Sequence, residues 1–316
     1  MALFKSCAAL TNGDHFMSNI TAVILTFNEQ MHLQRCIDSI LPLTNDIVVV
    51  DSFSTDDTVA IAQRNGATVL QRAWENNHAT QFNWALTQLP AQTQWVFRID
   101  ADEVLTPELV SQLQSQWTAI PELVVGIECI RKMKFQGSLM QHGGMGGTRV
   151  LRLFRYGHGR SESRWMDEHI KVDGPTQFVD GALIDDNLNS LSWWITKHNN
   201  YASREAVDLL NLKHHFSDSD SVANQSHVTR LSLKRKIKEG IYARLPGGLR
   251  AQLYYFYRYV LLMGFLDDAN GRSFHFLQAY WYRYLADAKV KEVERYMKTH
   301  QVDIKTAIDR VLSIKV

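Results

Sequence analysis

The sequence has little of what marks several large classes of protein. Its three cysteines, Cys7, Cys36 and Cys129, are widely spaced, which excludes a disulfide framework and fits a reducing compartment. No apolar run approaches the roughly 18 to 20 residues that span a bilayer. The formal net charge is only +1, so no global field favours nucleic acid. The first ten residues are too weakly apolar for a secretory signal, and we predict a cytoplasmic protein.

Two common nucleotide-binding motifs are also missing. No G-x-G-x-x-G follows the first predicted strand, and no G-x-x-x-x-G-K-[ST] occurs anywhere, which argues against dinucleotide and P-loop sites.

Met17 stands just before the first predicted strand, so residues 1–18 are expected to be a flexible tail or a consequence of start-site choice. The remaining length is ample for a proper core.

Apolar strands alternate with amphipathic helices in the first half of the chain. Strands are predicted at 20–25, 46–50, 67–70 and 95–97, and the intervening apolar residues recur at spacings of three and four. This order predicts a parallel sheet in an α/β fold. We further expect a helix at 107–117 and a strand at 124–130.

Polar clusters fall where three of these strands end, at 26–29, 51–57 and 100–103. Open sheets of this kind bind ligands at the carboxyl ends of their strands. We expect Asp51 to accept from a ribose hydroxyl or a base N–H. For Ser54, Thr55 and Asp56, capping of the next helix is an equally good interpretation.

The third cluster, RIDADE, holds two carboxylates, Asp100 and Asp102, one residue apart. In an extended segment both would face one spot, which suits a hard divalent cation that bridges phosphate oxygens. A lone D-x-D would more often be a solvated strand end, but its neighbours favour a metal site.

Four segments together resemble the nucleotide-sugar half of family 2 glycosyltransferases with the GT-A fold. They are TFNE, VVVDSFSTDDT, RAWENNHATQFNWAL and RIDADE. The resemblance implies a Rossmann-like mixed sheet, a nucleotide-diphosphate sugar donor (UDP being the commonest), and Mg²⁺ or Mn²⁺ held by Asp102 and Asp100. By the same resemblance the donor site is expected to comprise Thr26, Phe27, Asn28, Glu29, Asp51, Ser52, Arg72, Gln81, Asn83, Asp100, Ala101 and Asp102. Phe82 stands where the family often has a basic residue, and Arg72 is the expected substitute for that charge.

The segment RWMDEHI, 164–170, is the expected source of the general base. Inverting sugar transfer needs a group that takes the proton from the acceptor hydroxyl. Family members carry an acidic residue at about this separation after the D-x-D. Glu168 is our first candidate and Asp167 the second, while a surface salt-bridge group is the alternative for the whole segment.

A glycine-rich stretch, QHGGMGGTRVLRLFR at 141–155, predicts a mobile loop over the acceptor, with a phosphate cradle as the weaker alternative. After residue 190 the sequence becomes helical in pattern. Basic and aromatic side chains then alternate along the chain. Five apolar or aromatic residues recur at a spacing of three or four: Leu253, Phe256, Tyr257, Val260 and Leu261. Two interpretations fit equally: a helix at an anionic membrane surface, or a core helix with a solvated basic face.

The residues predict an α/β domain at 19–190, which the resemblance implies has the GT-A fold. They also predict a mostly helical region at 191–316 that contacts a membrane surface or the acceptor. The tail resembles a group of family 2 enzymes of bacterial lipopolysaccharide-core, O-antigen and exopolysaccharide synthesis, which includes lipopolysaccharide core heptose glucosyltransferases. The resemblance implies an inverting, metal-dependent hexosyltransferase acting on a lipid-linked glycan, peripheral at the cytoplasmic face of the inner membrane. A sugar-nucleotide pyrophosphorylase would need a glycine-rich signature that TFNE does not supply. A non-catalytic nucleotide-sugar-binding scaffold is the remaining alternative.

Overall fold

The computed structural model describes residues 19–75, 77–162, 169–216 and 248–316. The expected tail at 1–18 and both candidates for the general base, Asp167 and Glu168, lie outside the described residues. The chain divides into two compact units. The first takes in the described residues up to Lys134 and again from Gly147 to Leu188, and the second takes in Phe135–Gly146 and the described residues from Asn189 onward.

Strands dominate the first unit, and most of them belong to one mixed sheet. The described strands are β1 (Ile20–Thr26), β2 (Ile47–Asp51), β3 (Thr68–Gln71), β4 (Trp95–Asp100), β5 (Glu103–Leu105), β6 (Gly126–Phe135), β7 (Ser138–Leu139), β8 (Thr148–Arg155), β9 (Gly159–Ser161), β10 (Ile170–Val172) and β11 (Thr176–Asp186). Eight of them follow one another in the order β3-β2-β1-β4-β8-β6-β11-β5. The first four are parallel, as predicted, whereas β8 runs antiparallel to both β4 and β6.

The parallel strands are apolar along their whole length because helices cover both faces of that part of the sheet. The helices of this unit are α1 (Leu33–Ile40), α2 (Thr58–Arg64), α3 (His78–Leu86) and α4 (Pro107–Gln116). In α1 the residues at three-four spacing are buried against one face of β1 and β4, while Phe82 and Ala85 of α3 pack with Val23 and Val96 on the other. The predicted α/β architecture is therefore confirmed.

The sheet curls back on itself at the acidic turn. Only Ala101 and Asp102 separate β4 from β5, yet β5 pairs antiparallel with β11, at the far end of the strand order. The backbone N–H of Asp186 donates to the carbonyl of Asp102 at 2.9 Å, which ties the end of β11 to this turn.

The second unit is helical. Its helices are α5 (Leu191–His214), α6 (Leu249–Phe256), α7 (Ala269–Phe274), α8 (Tyr282–His300) and α9 (Ile304–Leu312), and π-helical turns at Tyr257–Leu261 and His275–Trp281 continue α6 and α7. Leu210, Val293 and Ile308 form the fully buried centre where α5, α8 and α9 meet. No helix of the described residues is long and apolar enough to cross a bilayer.

Polar contacts fix the glycine-rich loop within the second unit. Asp267 accepts from the backbone N–H groups of Gln141 and His142 and from the ring of His275. The guanidinium of Arg258 donates to the carbonyl of Gly143 at 2.8 Å. Residues 141–143 are therefore held by side chains that come from far along the chain.

Candidate active site

The three predicted polar clusters lie side by side because β1 pairs with both β2 and β4. In the register of these strands Thr26 is opposite Asp51, and Leu25 is opposite Asp100. The carboxyl ends of three parallel strands thus meet at one edge of the sheet, where open α/β sheets bind ligands.

Asp102 lies at the tip of the acidic turn beside the end of β11. The side-chain amide of Asn187 donates from Nδ2 to Oδ2 of Asp102 at 2.9 Å. Asp102 is partly exposed, so its carboxylate is both oriented by a neighbour and open to a ligand. Asn187 was not among the predicted site residues.

Asp100 is held in its ionised form by two arginines. Its carboxylate lies 3.3 Å from Nη2 of Arg152 and 3.7 Å from Nη2 of Arg98. Burial opposes ionisation, but Arg152 and, more weakly, Arg98 outweigh it, so the pKa of Asp100 lies well below its usual range. The side chain is still 40% exposed, which leaves oxygen lone pairs for a ligand.

Glu103 and Arg152 form a buried ion pair directly beneath the acidic turn. Their side chains are 1% and 6% exposed, and Oε2 of Glu103 also accepts from the backbone N–H of Asp100 at 3.0 Å. Burial raises the pKa of Glu103 above its ordinary value, although Arg152 pulls it down. The pair fixes the backbone on which Asp100 and Asp102 sit.

Asp51 is fully buried, and neighbouring side chains surround its carboxylate. It accepts from Thr26 Oγ1 at 3.2 Å, from the backbone N–H of Ser54 at 2.9 Å and from Gln71 Nε2 at 3.3 Å. In this structure the carboxylate therefore organises the loop that follows β2. Its expected contact with the nucleoside stays a prediction.

The loops after β1 and β2 are joined to each other by several hydrogen bonds. The backbone N–H of Asn28 donates to Ser54 Oγ at 2.8 Å, and Thr55 N–H donates back to Asn28 Oδ1 at 2.8 Å. Asp56 accepts from Thr58 N–H at 3.0 Å, but Asp57, the residue at the N-cap of α2, makes no side-chain cap hydrogen bond. Ser54 and Thr55 connect the two loops, and the predicted capping by them is not seen.

Phe27 projects from the first of these loops with 58% of its surface exposed. Asn28, directly after it, has a left-handed φ of 57°, which turns the chain sharply here. Glu29 turns back to bond the ring of His32, at 2.6 Å. An exposed aromatic ring on a fixed loop offers a flat apolar surface for stacking.

Arg72 and Gln81 lie next to the loop that follows β2. Gln81 is buried and donates to Ser52 Oγ at 3.3 Å and to the carbonyl of Arg72 at 3.2 Å. The guanidinium of Arg72 is 5.1 Å from the ring centroid of Trp84 and pairs with Glu75 at 3.0 Å. Arg72 is therefore held near the site by stacking and an ion pair.

Three predicted positions face the protein rather than a ligand. Asn83 exchanges two hydrogen bonds of 2.9 Å with the backbone of Ser161, and Ala101 is almost fully buried. Phe82, the position that departs from the family pattern, is a fully buried core residue with Arg98 5.6 Å from its ring centroid. Ligand contacts by Asn83 and Ala101 stay predictions.

The acidic turn fits a divalent metal by its donor chemistry. Asp100 and Asp102 offer hard carboxylate oxygens, and the described residues contain no cluster of three or more His, Cys, Asp or Glu side chains arranged around an ion. Mg²⁺ and similar ions commonly take one or two protein carboxylates and complete their shell with water and phosphate oxygens. Two carboxylates at an open strand end match that requirement.

Arg152 and Asn187 are the two site residues that sequence reasoning missed. Arg152 interrupts the apolar run of β8, and a charged residue in that position is the one signal that could have revealed it. Asn187 reaches the site only because β11 pairs with β5, and its local sequence carries no such signal.

The model of the family described as Glycosyl transferase family 2 matches residues 21–178, half of the chain. The chain belongs to this family. The match includes the carboxyl ends of β1, β2 and β4, and with the observed sheet it confirms the predicted GT-A fold followed by a helical C-terminal region.

Several relatives carry the same family resemblance. An uncharacterized glycosyltransferase of Rickettsia conorii is 41% identical over 95 residues, which is 30% of this chain and 33% of the relative. The lipopolysaccharide core biosynthesis glycosyltransferase LpsC of Rhizobium meliloti is 30% identical over 197 residues, covering 59% of this chain and 70% of that protein. The chain spans about a third of the length of the Rickettsia relatives it matches.

Among solved structures, glucosyl-3-phosphoglycerate synthase of Mycobacterium tuberculosis in complex with Mn²⁺, uridine diphosphate and glucosyl-3-phosphoglycerate is 25% identical. The similarity covers 36% of this chain and 44% of that one, with a TM-score of 0.30.

Proposed function

We propose that the protein is an inverting, metal-dependent glycosyltransferase that moves a hexose from a nucleotide-diphosphate sugar to a lipid-linked saccharide. The observation that carries the proposal is the pair of open carboxylates, Asp100 and Asp102, at the meeting point of three parallel strand ends. Family membership and the similarity to the lipopolysaccharide core glycosyltransferase of Rhizobium meliloti support a role in cell-envelope polysaccharide synthesis, with lipopolysaccharide core as the first candidate.

The donor site in this proposal uses the two loops after β1 and β2. Phe27 stacks on the base, and Thr26, Asn28, Glu29, Asp51 and Ser52 form the wall around the nucleoside, with Arg72, Gln81, Asn83 and Ala101 supporting it. UDP is the first candidate for the nucleotide. The exposure of Phe27 and the hydrogen bonds between the loops support a wall that is formed before the ligand arrives.

Asp102, oriented by Asn187, and Asp100, kept ionised by Arg152, would hold Mg²⁺ or Mn²⁺. The metal, when bound, neutralises charge on the departing diphosphate. Glu168, with Asp167 as the second candidate, accepts the proton of the acceptor hydroxyl while its oxygen attacks the anomeric carbon and the bond to the diphosphate oxygen breaks. Both base candidates lie outside the described residues.

A direct test supplies the full-length protein with labelled UDP-, GDP- and dTDP-sugars, Mn²⁺ and a bacterial lipid extract. We expect transfer of label from one donor into the lipid fraction with inversion at the anomeric carbon. Asp102→Ala should abolish transfer, and Glu168→Gln should lower it by about a hundredfold or more. Asp173→Ala is the matched control, because Asp173 is an exposed aspartate that pairs with His158.

Full activity in Asp102→Ala would overturn the metal assignment. Donor binding without turnover by the wild-type protein, with every donor and extract, would favour the scaffold alternative. The acceptor class is tested separately: transfer to water or to a soluble glycan, but never to the lipid fraction, would contradict a lipid-linked acceptor.

A further inference from the structure

The end of β11 and the two residues after it lie against the acidic turn and orient one of its carboxylates. The backbone N–H of Asp186 donates to the carbonyl of Asp102 at 2.9 Å, and Nδ2 of Asn187 donates to Oδ2 of Asp102 at 2.9 Å. Since β11 ends at Asp186, Asn187 and Leu188 lie beyond the hydrogen-bond ladder of the sheet. Other groups therefore fix the position from which Asn187 reaches Asp102.

The first turn of α1 supplies those groups. His32, at the N-terminal end of α1, accepts the backbone N–H of Leu188 on Nε2 at 2.9 Å. One turn further on, Arg35 donates from Nη1 to Oδ2 of Asp186 at 2.9 Å and from Nη2 to the carbonyl of the same residue. Residues three apart lie on the same side of a helix, so α1 holds the segment 186–188 at both of its ends.

The ring of His32 is bonded through both of its nitrogens. Its side chain is 1% exposed, and Nδ1 lies 2.6 Å from Oε2 of Glu29. Since Nε2 accepts the Leu188 N–H, the proton of the neutral ring lies on Nδ1 and is donated to the Glu29 carboxylate. One buried ring thus joins the loop after β1 to the segment that orients Asp102.

The two bonds explain why a polar ring is buried at this place. Burying a polar group without its hydrogen bonds costs free energy, and an apolar side chain here would leave the Leu188 N–H without this acceptor. Hydrogen bonds that orient a metal ligand from outside its coordination sphere commonly determine about tenfold or more of the metal affinity. A bond that fixes Asn187, which orients Asp102, is therefore expected to affect the metal site.

We propose that His32 is a positioning residue for the acidic turn: through Leu188 it fixes the place from which Asn187 orients Asp102. It acts through Asn187 and not on the ligand itself. The inference rests on the proposed function only in taking Asp102 as a metal ligand. The contacts from α1 to the segment 186–188 stand without that assignment.

Two substitutions separate the roles of the two ring nitrogens. In His32→Gln the side-chain oxygen can take the place of Nε2 and accept from Leu188, whereas the shorter amide of His32→Asn reaches only the place of Nδ1 and keeps the bond to Glu29. The measurement is Mn²⁺ binding by the full-length protein in the presence of UDP, by calorimetry. We expect His32→Asn to weaken the affinity by about tenfold and His32→Gln to restore most of it.

A double-mutant cycle shows whether the effect passes through Asn187. When Asn187→Ala is already present, His32→Asn should cause no further loss of Mn²⁺ affinity, because the residue through which it acts is gone. Losses that simply add would overturn the inference. Equal affinities in His32→Asn and the wild type, or equal losses in His32→Asn and His32→Gln, would overturn it as well.

Hydrogen exchange in the ligand-free protein tests the link without metal. By NMR, the backbone N–H of Leu188 should exchange faster in His32→Asn than in the wild type, and the side-chain amide resonances of Asn187 should shift, while His32→Gln resembles the wild type. Unchanged exchange and unchanged Asn187 resonances in His32→Asn would refute the positioning role. If these changes occur but the wild type binds no Mn²⁺, the metal assignment fails and the link from His32 to Asn187 stands.

Discussion

The buried pair of Arg152 and Glu103 predicts a large loss of stability when the arginine is replaced. Arg152→Met keeps most of the side-chain volume but leaves a carboxylate that is 1% exposed without its counter-charge. Removing one partner of a buried ion pair costs about 3–5 kcal/mol. At roughly 2–4 °C per kcal/mol, the melting midpoint of the first unit should fall by roughly 6–20 °C.

The loss should depend on pH in a defined direction. Burial already raises the pKa of Glu103, and without Arg152 it rises further. A carboxyl whose folded pKa is raised contributes its full stability below its unfolded pKa of about 4.3 and loses it as the pH rises towards the folded value. Because the wild-type carboxyl already has a folded pKa of about 7, both proteins lose this contribution equally up to that pH, and the variant should fall behind the wild type only above it, by up to about 1.4 kcal/mol per pH unit.

Thermal and urea denaturation of the variant across this pH range measure the effect. Adding Glu103→Gln should recover more than half of the loss, because the amide is neutral and its oxygen still accepts from Asp100 N–H. Arg149→Met, on the same strand but 53% exposed and paired with Glu128, should cost less than about 1 kcal/mol. A loss that is independent of pH, or that Glu103→Gln leaves unchanged, would refute the reasoning.

Three further predictions follow from particular contacts. Gly181→Ala should destabilise the first unit by at least about 2 kcal/mol in urea, because its φ is +104° and the new Cβ would lie 2.6 Å from Leu109 Cα. Gly157→Ala is the control, because Gly157 has a φ of +87° with open space around it and measures the backbone strain alone. Equal losses of stability in the two variants would contradict the clash. Burial lowers the pKa of His275, so the second unit should lose stability as the pH falls from about 6.5 through that lowered value. In His275→Gln the dependence of stability on pH should become weaker but should not vanish, because burial also lowers the pKa of His198. An unchanged pH dependence would contradict the prediction. Asn187→Ala should weaken Mn²⁺ binding in the presence of nucleotide by about tenfold or more, measured calorimetrically, while an unchanged affinity would show that Asn187 does not orient Asp102.

The parallel half of the sheet could be predicted because its order is local. β1, β2, β3 and β4 are short apolar runs, and each is followed by a polar cluster that the fold brings to one edge. The acidic turn was recognisable for the same reason, since both carboxylates come from one segment.

The antiparallel half could not be predicted from local patterns. β5 has three residues and exists through its pairing with β11, whose residues are far along the chain. β8 follows the glycines of a stretch that was interpreted as a loop, yet it is an eight-residue strand between β4 and β6. Strand pairings between distant segments leave no periodic signal, so Arg152 and Asn187 went unrecognised with them.

Residues 249–261, which form α6 and the π-helical turn after it, show a different limit. Their three-four spacing predicted one apolar side correctly, but that side is exposed, which contradicts the core-helix interpretation. Spacing alone does not say which side faces the core. That direction is set by the buried bonds of Arg258 to Gly143 and Gln278, both of which lie elsewhere in the sequence.

Nucleotide binding that depends on the metal tests the central claim most directly. The measurement is the thermal midpoint of the full-length protein with UDP, GDP or dTDP, each with and without Mn²⁺, for the wild type and Asp102→Ala. A ligand that binds only the folded protein stabilises it, by about 2.7 kcal/mol at a hundredfold excess over its Kd. The account predicts stabilisation by one nucleotide that disappears on chelation and in Asp102→Ala; no stabilisation by any nucleotide, or stabilisation that survives both changes, would contradict it.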